Sequence, residues 1–181
     1  MEGKDMRNLL ADALLQSMEE KPLGRIKIKH ICAACHISRS TFYYYFDSVN
    51  QRLKWLFVRD LAEPFRETVL DDTVTAALTN VFHYIDSYHS VMESVIGALH
   101  YSDAKTIFSG SAFPTLRKLL EEDRRRRGIT EDDPQWLTFS ARALTGMLTE
   151  LYWTCLTGTN LLSREELVRY AARFYEDLVK G

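Results

Sequence analysis

The residues of this chain whose types and spacing could do chemistry lie between Ile28 and Phe46, in the run IKHICAACHISRSTFYYYF. Two chemistries are written there. Cys32, Cys35 and His36 spell CxxCH, a spacing that attaches haem covalently in exported cytochromes and offers thiolate and imidazole ligands to zinc. Ser38, Arg39, Ser40, Thr41 and Tyr44 place hydroxyls, a guanidinium and a phenol on a short helix. Such groups bind phosphate oxygens at a helix N-terminus and read base edges, with Arg suited to guanine O6 and N7.

The first chemistry is poorly supported by its surroundings. Haem attachment requires export, and MEGKDMRNLL, with Glu2 and Asp5, has neither the basic nor the apolar region of a leader. Zinc would lack a fourth nearby ligand, and a redox role for Cys35 has no support in the pattern. Three cysteines fit a reducing cytosol better than a disulfide framework, so a cytoplasmic location with no metal and no cofactor is expected. The most apolar stretch, 143–162, contains Glu150 and several Thr and Gly, so no membrane span is expected. No triad, Gly-rich phosphate loop or spaced metal motif appears, and an enzyme is not expected.

The second chemistry needs elements to hold it. Alternating strand patterns are absent, and four Pro and eight Gly punctuate a chain that reads as all-α, with about nine helices. Helices are expected over about 4–21, 28–35, 38–45, 48–65, 73–88, 90–99, 102–127, 133–156 and 163–180. The seventh should break around Gly110 to Pro114. Ser48 with Gln51 and Ser163 with Glu166 have capping-box spacing. Glu131, Asp132, Asp133 and Pro134 form an acidic, proline-opened helix start.

The helices at 28–35 and 38–45, joined at His36-Ile37, have the proportions of a helix-turn-helix, whose second helix usually enters a major groove. In that second helix Phe42 and Phe46 share a face, with Tyr43 at its flank, and should pack on the first two helices. Ser40 and Tyr44 point the other way, with Thr41 and Tyr45 beside them. Arg39, Ser40 and Tyr44 are the expected base-edge contacts. Lys27, Ser38, Thr41 and Tyr45 are the expected phosphate contacts on a double-stranded operator. Residues 1–60 hold 10 basic and 7 acidic residues against 13 and 18 in 61–181, a modest basic head on an acidic body. The division is placed at 1–48 and 49–181.

SRSTFYYYF, preceded by an Ile-x-x-Ile helix and followed by a capped, Leu/Trp-rich helix, resembles the N-terminal domain of the TetR family of bacterial transcriptional regulators over roughly residues 5 to 60. The resemblance implies an all-helical homodimer, each subunit carrying a three-helix DNA-binding head and a ligand-binding, dimerising body. The chain departs from that pattern in several places. His36 stands where Gly is usual, Cys32 where a small Ala is usual, and Val49 where a phosphate-contacting Lys is common. Lys27 replaces a capping Thr, and Tyr45 a His. The run SVNQRLKWLF resembles a subgroup that includes regulators of dihydroxyacetone kinase operons. The expected role is a ligand-responsive repressor on a pseudo-palindromic operator. The departures at Val49 and His36 keep a second reading open: a coactivator on the same fold, acting through a protein or small-molecule partner.

The body is rich in aromatic and semi-polar groups, and His83, Tyr84, His100, Tyr101, Phe108, Trp136, Phe139 and Trp153 are the expected walls of an effector pocket. The last two helices carry amphipathic faces that either close the core or pair with a second copy. With the resemblance, Leu144, Leu148, Leu151, Tyr170, Phe174 and Leu178 are the expected dimer interface. Arg124 to Arg127, before Gly128, read as an ordinary solvated helix end.

Overall fold

The structure, a computed structural model, describes residues 3–99, 101–129 and 133–180. Among them all regular structure is helical and no strand occurs. The head is α1 (Gly3–Glu20), a 3-10 turn (Leu23–Arg25), α2 (Ile28–Ala34) and α3 (Arg39–Tyr45). α4 (Val49–Phe57) runs through a π turn (Val58–Ala62) into α5 (Glu63–Asp71). The body continues with α6 (Val74–Ser87), α7 (His89–Ala98), α8 (Tyr101–Arg126), α9 (Pro134–Thr157) and α10 (Arg164–Lys180). Counted with α4 and α5 as one continuous helix, that is nine α-helices among the described residues.

Local chemistry sets most of the boundaries. Ser48 Oγ accepts from Gln51 N–H at 3.2 Å, and Gln51 Oε1 accepts from Asp47 N–H at 2.6 Å. Ser163 and Glu166 bond reciprocally, at 3.3 and 2.9 Å, as a capping box. Asp133 Oδ1 accepts from Gln135 N–H and Pro134 opens α9, while Glu131 and Asp132 lie outside the described residues. Gly158, at φ 66°, ends α9 in the left-handed conformation that a residue without Cβ adopts at no steric cost.

Two prolines do not break their helices. The wide turn at Val58–Ala62 closes with Glu63 N–H on Val58 O, and Pro64 then falls in the first turn of α5, where its missing N–H costs little. The break expected around Gly110 to Pro114 is absent: α8 is continuous through Pro114. Both Gly110 and Pro114 are exposed, so the carbonyl that Pro114 leaves without a donor faces water.

One apolar core runs through head and body, from Leu10 and Leu14 of α1 to Val179 of α10. The division expected at residue 48 is therefore not a gap in packing, because Leu53 and Leu56 of α4 belong to that common core. Arg125 to Arg127 are exposed, as a solvated helix end should be, but Arg124 is not, and the run is more than that end. Arg124 is buried and donates to Val179 O at 2.6 Å. Arg126 donates to Leu70 O, and Arg127 binds both Asp123 (2.9 Å) and Glu176 (2.6 Å). Tyr175 OH donates to the same Asp123 carboxylate at 2.8 Å. These groups tie the end of α8 to α5 and α10.

The Arg127 guanidinium holds the Glu176 carboxyl below its usual range. A carboxylate favoured in this way stabilises the fold above its unfolded pKa and loses that contribution as pH falls through the folded value. Glu176→Gln should therefore be less stable than the parent at pH 7, and the difference should begin to shrink as pH falls below the ordinary glutamate pKa of about 4.3, vanishing only below the depressed folded value, in urea titrations followed by circular dichroism. A difference independent of pH would show that the ion pair contributes nothing.

Candidate nucleic-acid interface

The turn between α2 and α3 is built from hydrogen bonds that any residue can make and one conformation that few adopt. His36 N–H donates to Ala33 O at 3.3 Å, and Ile37 N–H to Cys32 O at 3.0 Å, the pairing of a Schellman motif. His36 occupies the left-handed position at φ 53°, as a residue at that turn must. Ahead of α2, Lys27 is exposed, and its backbone N–H donates to His30 Nδ1 at 3.2 Å. Ser38 caps α3, accepting from Thr41 N–H at 3.0 Å.

α3 is held by its inner row. Phe42 and Phe46 are buried. The Arg52 guanidinium of α4 lies 5.0 Å from the Phe42 ring. Phe46 meets Trp55 edge-on, and the Arg7 guanidinium of α1 sits over both rings at 5.9 and 5.1 Å. Trp55 Nε1–H donates to Asn8 Oδ1 at 3.2 Å, closing the link between α1, α3 and α4.

The outward row is Arg39, Ser40 and Tyr44. Arg39 and Ser40 are exposed, and Tyr44 is 82% exposed. Two tyrosines exchange the places expected of them. Tyr43 is 53% exposed and only touches Phe42 edge-on. Tyr45 is half-buried against the core, with Tyr44 packed edge-on against it. Tyr45 is thus first a packing residue. Ser38 is likewise committed. Its Oγ meets Thr41 N–H, Ser40 Oγ at 2.7 Å and Thr41 Oγ1 at 2.9 Å, which fills one donor and two acceptor positions. Thr41 is half-buried.

The CxxCH residues form no metal centre. Cys32 is buried with Sγ 3.8 Å from Ser38 O, Cys35 is half-buried with Sγ 3.9 Å from Leu9 O, and His36 is exposed. Among the described residues no group of three or more His, Cys, Asp or Glu is placed to hold a metal. No helix among them is long and apolar enough to cross a membrane.

In the body, a cavity of about 70 Å³ lies between the α4–α5 helix, α6, α8 and α9. Of the expected pocket residues only Phe108 lines it, beside Tyr152. His83 lies instead on an open groove between α6 and α10. Tyr84 has a buried hydroxyl without a hydrogen-bond partner, and burial together with the nearby Asp60 charge holds its pKa high. Trp136 packs on Phe139, which is 60% exposed, and neither lines the cavity, nor does Trp153. His100 and the Tyr101 side chain lie outside the described residues.

The expected dimer residues divide as well. Leu144, Leu151 and Leu178 are buried within the chain, and Leu148 and Leu151 are walls of the cavity. Periodicity puts apolar residues on one face, but it does not say whether α8 or a second copy covers that face. Tyr170 and Phe174 remain on the surface.

The sequence reading missed Arg52, Arg59 and the π turn. Arg59 binds Asp60 (2.9 Å), Asp12 of α1 (2.7 Å) and Asn8 O (3.4 Å). Arg52 is fully buried, and none of its guanidinium nitrogens has a hydrogen-bond partner. Burial lowers its pKa to about 10. The signal was present: Val49, Arg52, Leu53, Leu56 and Phe57 share helical spacing, so Arg52 interrupts an apolar stripe.

The chain matches no protein-family model, and no curated protein matches it. The division of labour within α3 is directly measurable. Tyr44→Ala should change folding stability by less than about 0.5 kcal/mol, whereas Phe42→Ala should cost about 3–5 kcal/mol and Tyr45→Ala an intermediate amount, in denaturant titrations. Equal losses at Tyr44 and Tyr45 would reject the assignment.

Proposed function

We propose that this chain is a DNA-binding transcriptional regulator that acts as a homodimeric, ligand-responsive repressor on a pseudo-palindromic operator, by binding rather than by catalysis. One observation carries the reading. A short capped helix has its inner row, Phe42 and Phe46, clamped by α1 and α4, while Arg39, Ser40 and Tyr44 are exposed at its outer face. The basic excess of residues 1–60 and the resemblance of SRSTFYYYF to TetR regulators support it. In this reading Arg39, Ser40 and Tyr44 meet base edges, and Lys27 and Thr41 meet phosphates. Tyr170 and Phe174 are the two expected dimer residues that remain on the surface, where a second copy could cover them.

The proposed response to an effector rests on the body cavity and the π turn that walls it. The body cavity, about 70 Å³, is well below the ~300–1,000 Å³ of ordinary ligand pockets. An effector must therefore displace its walls, and Leu61 and Ala62 of the π turn are among them. The same turn carries Arg59, bound to Asp12 of α1. Displacement at the cavity then shifts α1 and, with it, α3. In a dimer the two recognition helices must match grooves about 34–36 Å apart, so a small shift weakens binding.

The test is a band-shift against DNA from upstream of the chain's own coding region, at stated salt. Wild type should bind. Arg39→Ala and Tyr44→Ala should each weaken binding about 5- to 150-fold, corresponding to about 1–3 kcal/mol for a base-edge contact. Binding by Tyr44→Ala and Arg39→Ala as tight as wild type would contradict the assigned face.

A further inference from the structure

The cavity between the α4–α5 helix, α6, α8 and α9 has a chemistry as well as a size. Three of its walls are rings: the centroids of Phe57 and Phe108 lie 4.0 Å apart, and those of Phe108 and Tyr152 4.7 Å apart. Leu61, Val81 and Leu148 add methyl groups. Among the described residues no charged side chain lines it. Its two polar walls have already committed their hydrogens. Thr149 Oγ1–H donates to Thr145 O at 2.7 Å, and the Tyr152 hydroxyl donates to Met92 Sδ. Leu61, Val81, Ala112 and Leu148 are half-buried rather than buried, so a small solute has a way in from the surface.

These walls select an occupant. An ion moved from water into the cavity would find no counter-charge, and an anion would find no free side-chain donor, so its lost hydration would go uncompensated. Apolar surface gains by making the same move. An apolar cavity of roughly 150 Å³ stays dry and takes benzene or xenon. At about 70 Å³ this one has room for a xenon atom, and benzene fits only if a wall gives way. Every wall stands on a regular α-helix except Leu61 and Ala62, which the π turn carries. That turn, with its wider hydrogen-bond spacing, is the wall that yields.

We propose that the cavity takes an uncharged, hydrocarbon-like small molecule, one with no carboxylate, phosphate or ammonium group, and that an occupant of benzene's size enters by displacing the π turn. This names the chemical class of the effector. It rests on the regulator reading for the consequence at α3, and on the cavity alone for the binding.

Full-length protein, isotope-labelled at its Leu and Val methyl groups and backbone amides, is exposed without DNA to xenon, benzene, benzoate and benzylammonium in separate samples. Xenon and benzene should shift the methyl signals of Leu61, Val81 and Leu148. Benzene, and not xenon, should also move the amides of residues 58–62. In thermal melts benzene should raise Tm by about 3–6 °C at ten times its Kd, while the two ions at the same concentration leave Tm unchanged. Ala112→Leu, which sets a larger side chain on the cavity wall, should lose the benzene-dependent rise. The methyl shifts of the wild type locate the occupant even if that variant does not fold. Benzoate or benzylammonium shifting the same methyls, or neither xenon nor benzene shifting any of them, would overturn the ligand class. Benzene bound with residues 58–62 unmoved would overturn the displacement of the π turn. A chain that takes benzene and binds no DNA would contradict the regulator reading and uphold the ligand class.

Discussion

Arg59 sits in a π turn with two faces. On one side its guanidinium holds Asp12 and the Asn8 carbonyl of α1, and on the other its neighbours Leu61 and Ala62 wall the body cavity. Without the extra residue of a π turn, Pro64 would press on the carbonyl four residues earlier. The wide turn absorbs that proline and joins α4 to α5. The head is consequently attached through an ion pair and a shared apolar core rather than by a linker, which puts the cavity walls a short way from α1 and α3. The signalling proposed for this chain depends on that one junction.

Two arginines meet the need for counter-charge in different ways. Arg127 and Asp123 satisfy each other, and Glu176 and Tyr175 complete the set. Arg52 lies over the Phe42 ring, and none of its guanidinium nitrogens has a hydrogen-bond partner. The first arrangement fastens three helices. The second leaves an unbalanced cation beneath the helix whose outer face carries Arg39 and Tyr44. A chain that needed only packing there would be better served by an apolar residue.

Much of the fold was legible because its signals are local. Caps at Ser38, Ser48, Asp133 and Ser163, and the stop at Gly158, each rest on residues within a few positions of one another. The exposure of Tyr44 and the burial of Phe42 and Phe46 followed from 100° steps along a helix. What escaped depended on distant partners. Tyr43 and Tyr45 flank the same face, and only the position of α4 and α1 decides which of them is covered. In the Arg124–Arg127 run, the partners Val179, Leu70 and Glu176 lie about fifty residues away. Leu144 and Leu151 could equally have met a second copy, and both are buried within the chain.

The outer row of α3 is the face proposed to meet DNA. Backbone NMR of the isotope-labelled protein, titrated with DNA from upstream of its coding region, tests it most directly. The account predicts that the amides of residues 38–45 and of Lys27 shift first and furthest, while those around the buried Arg52 and Leu53 respond only through α3. Shifts confined to the body, or no shift at DNA concentrations that saturate ordinary operators, would contradict it.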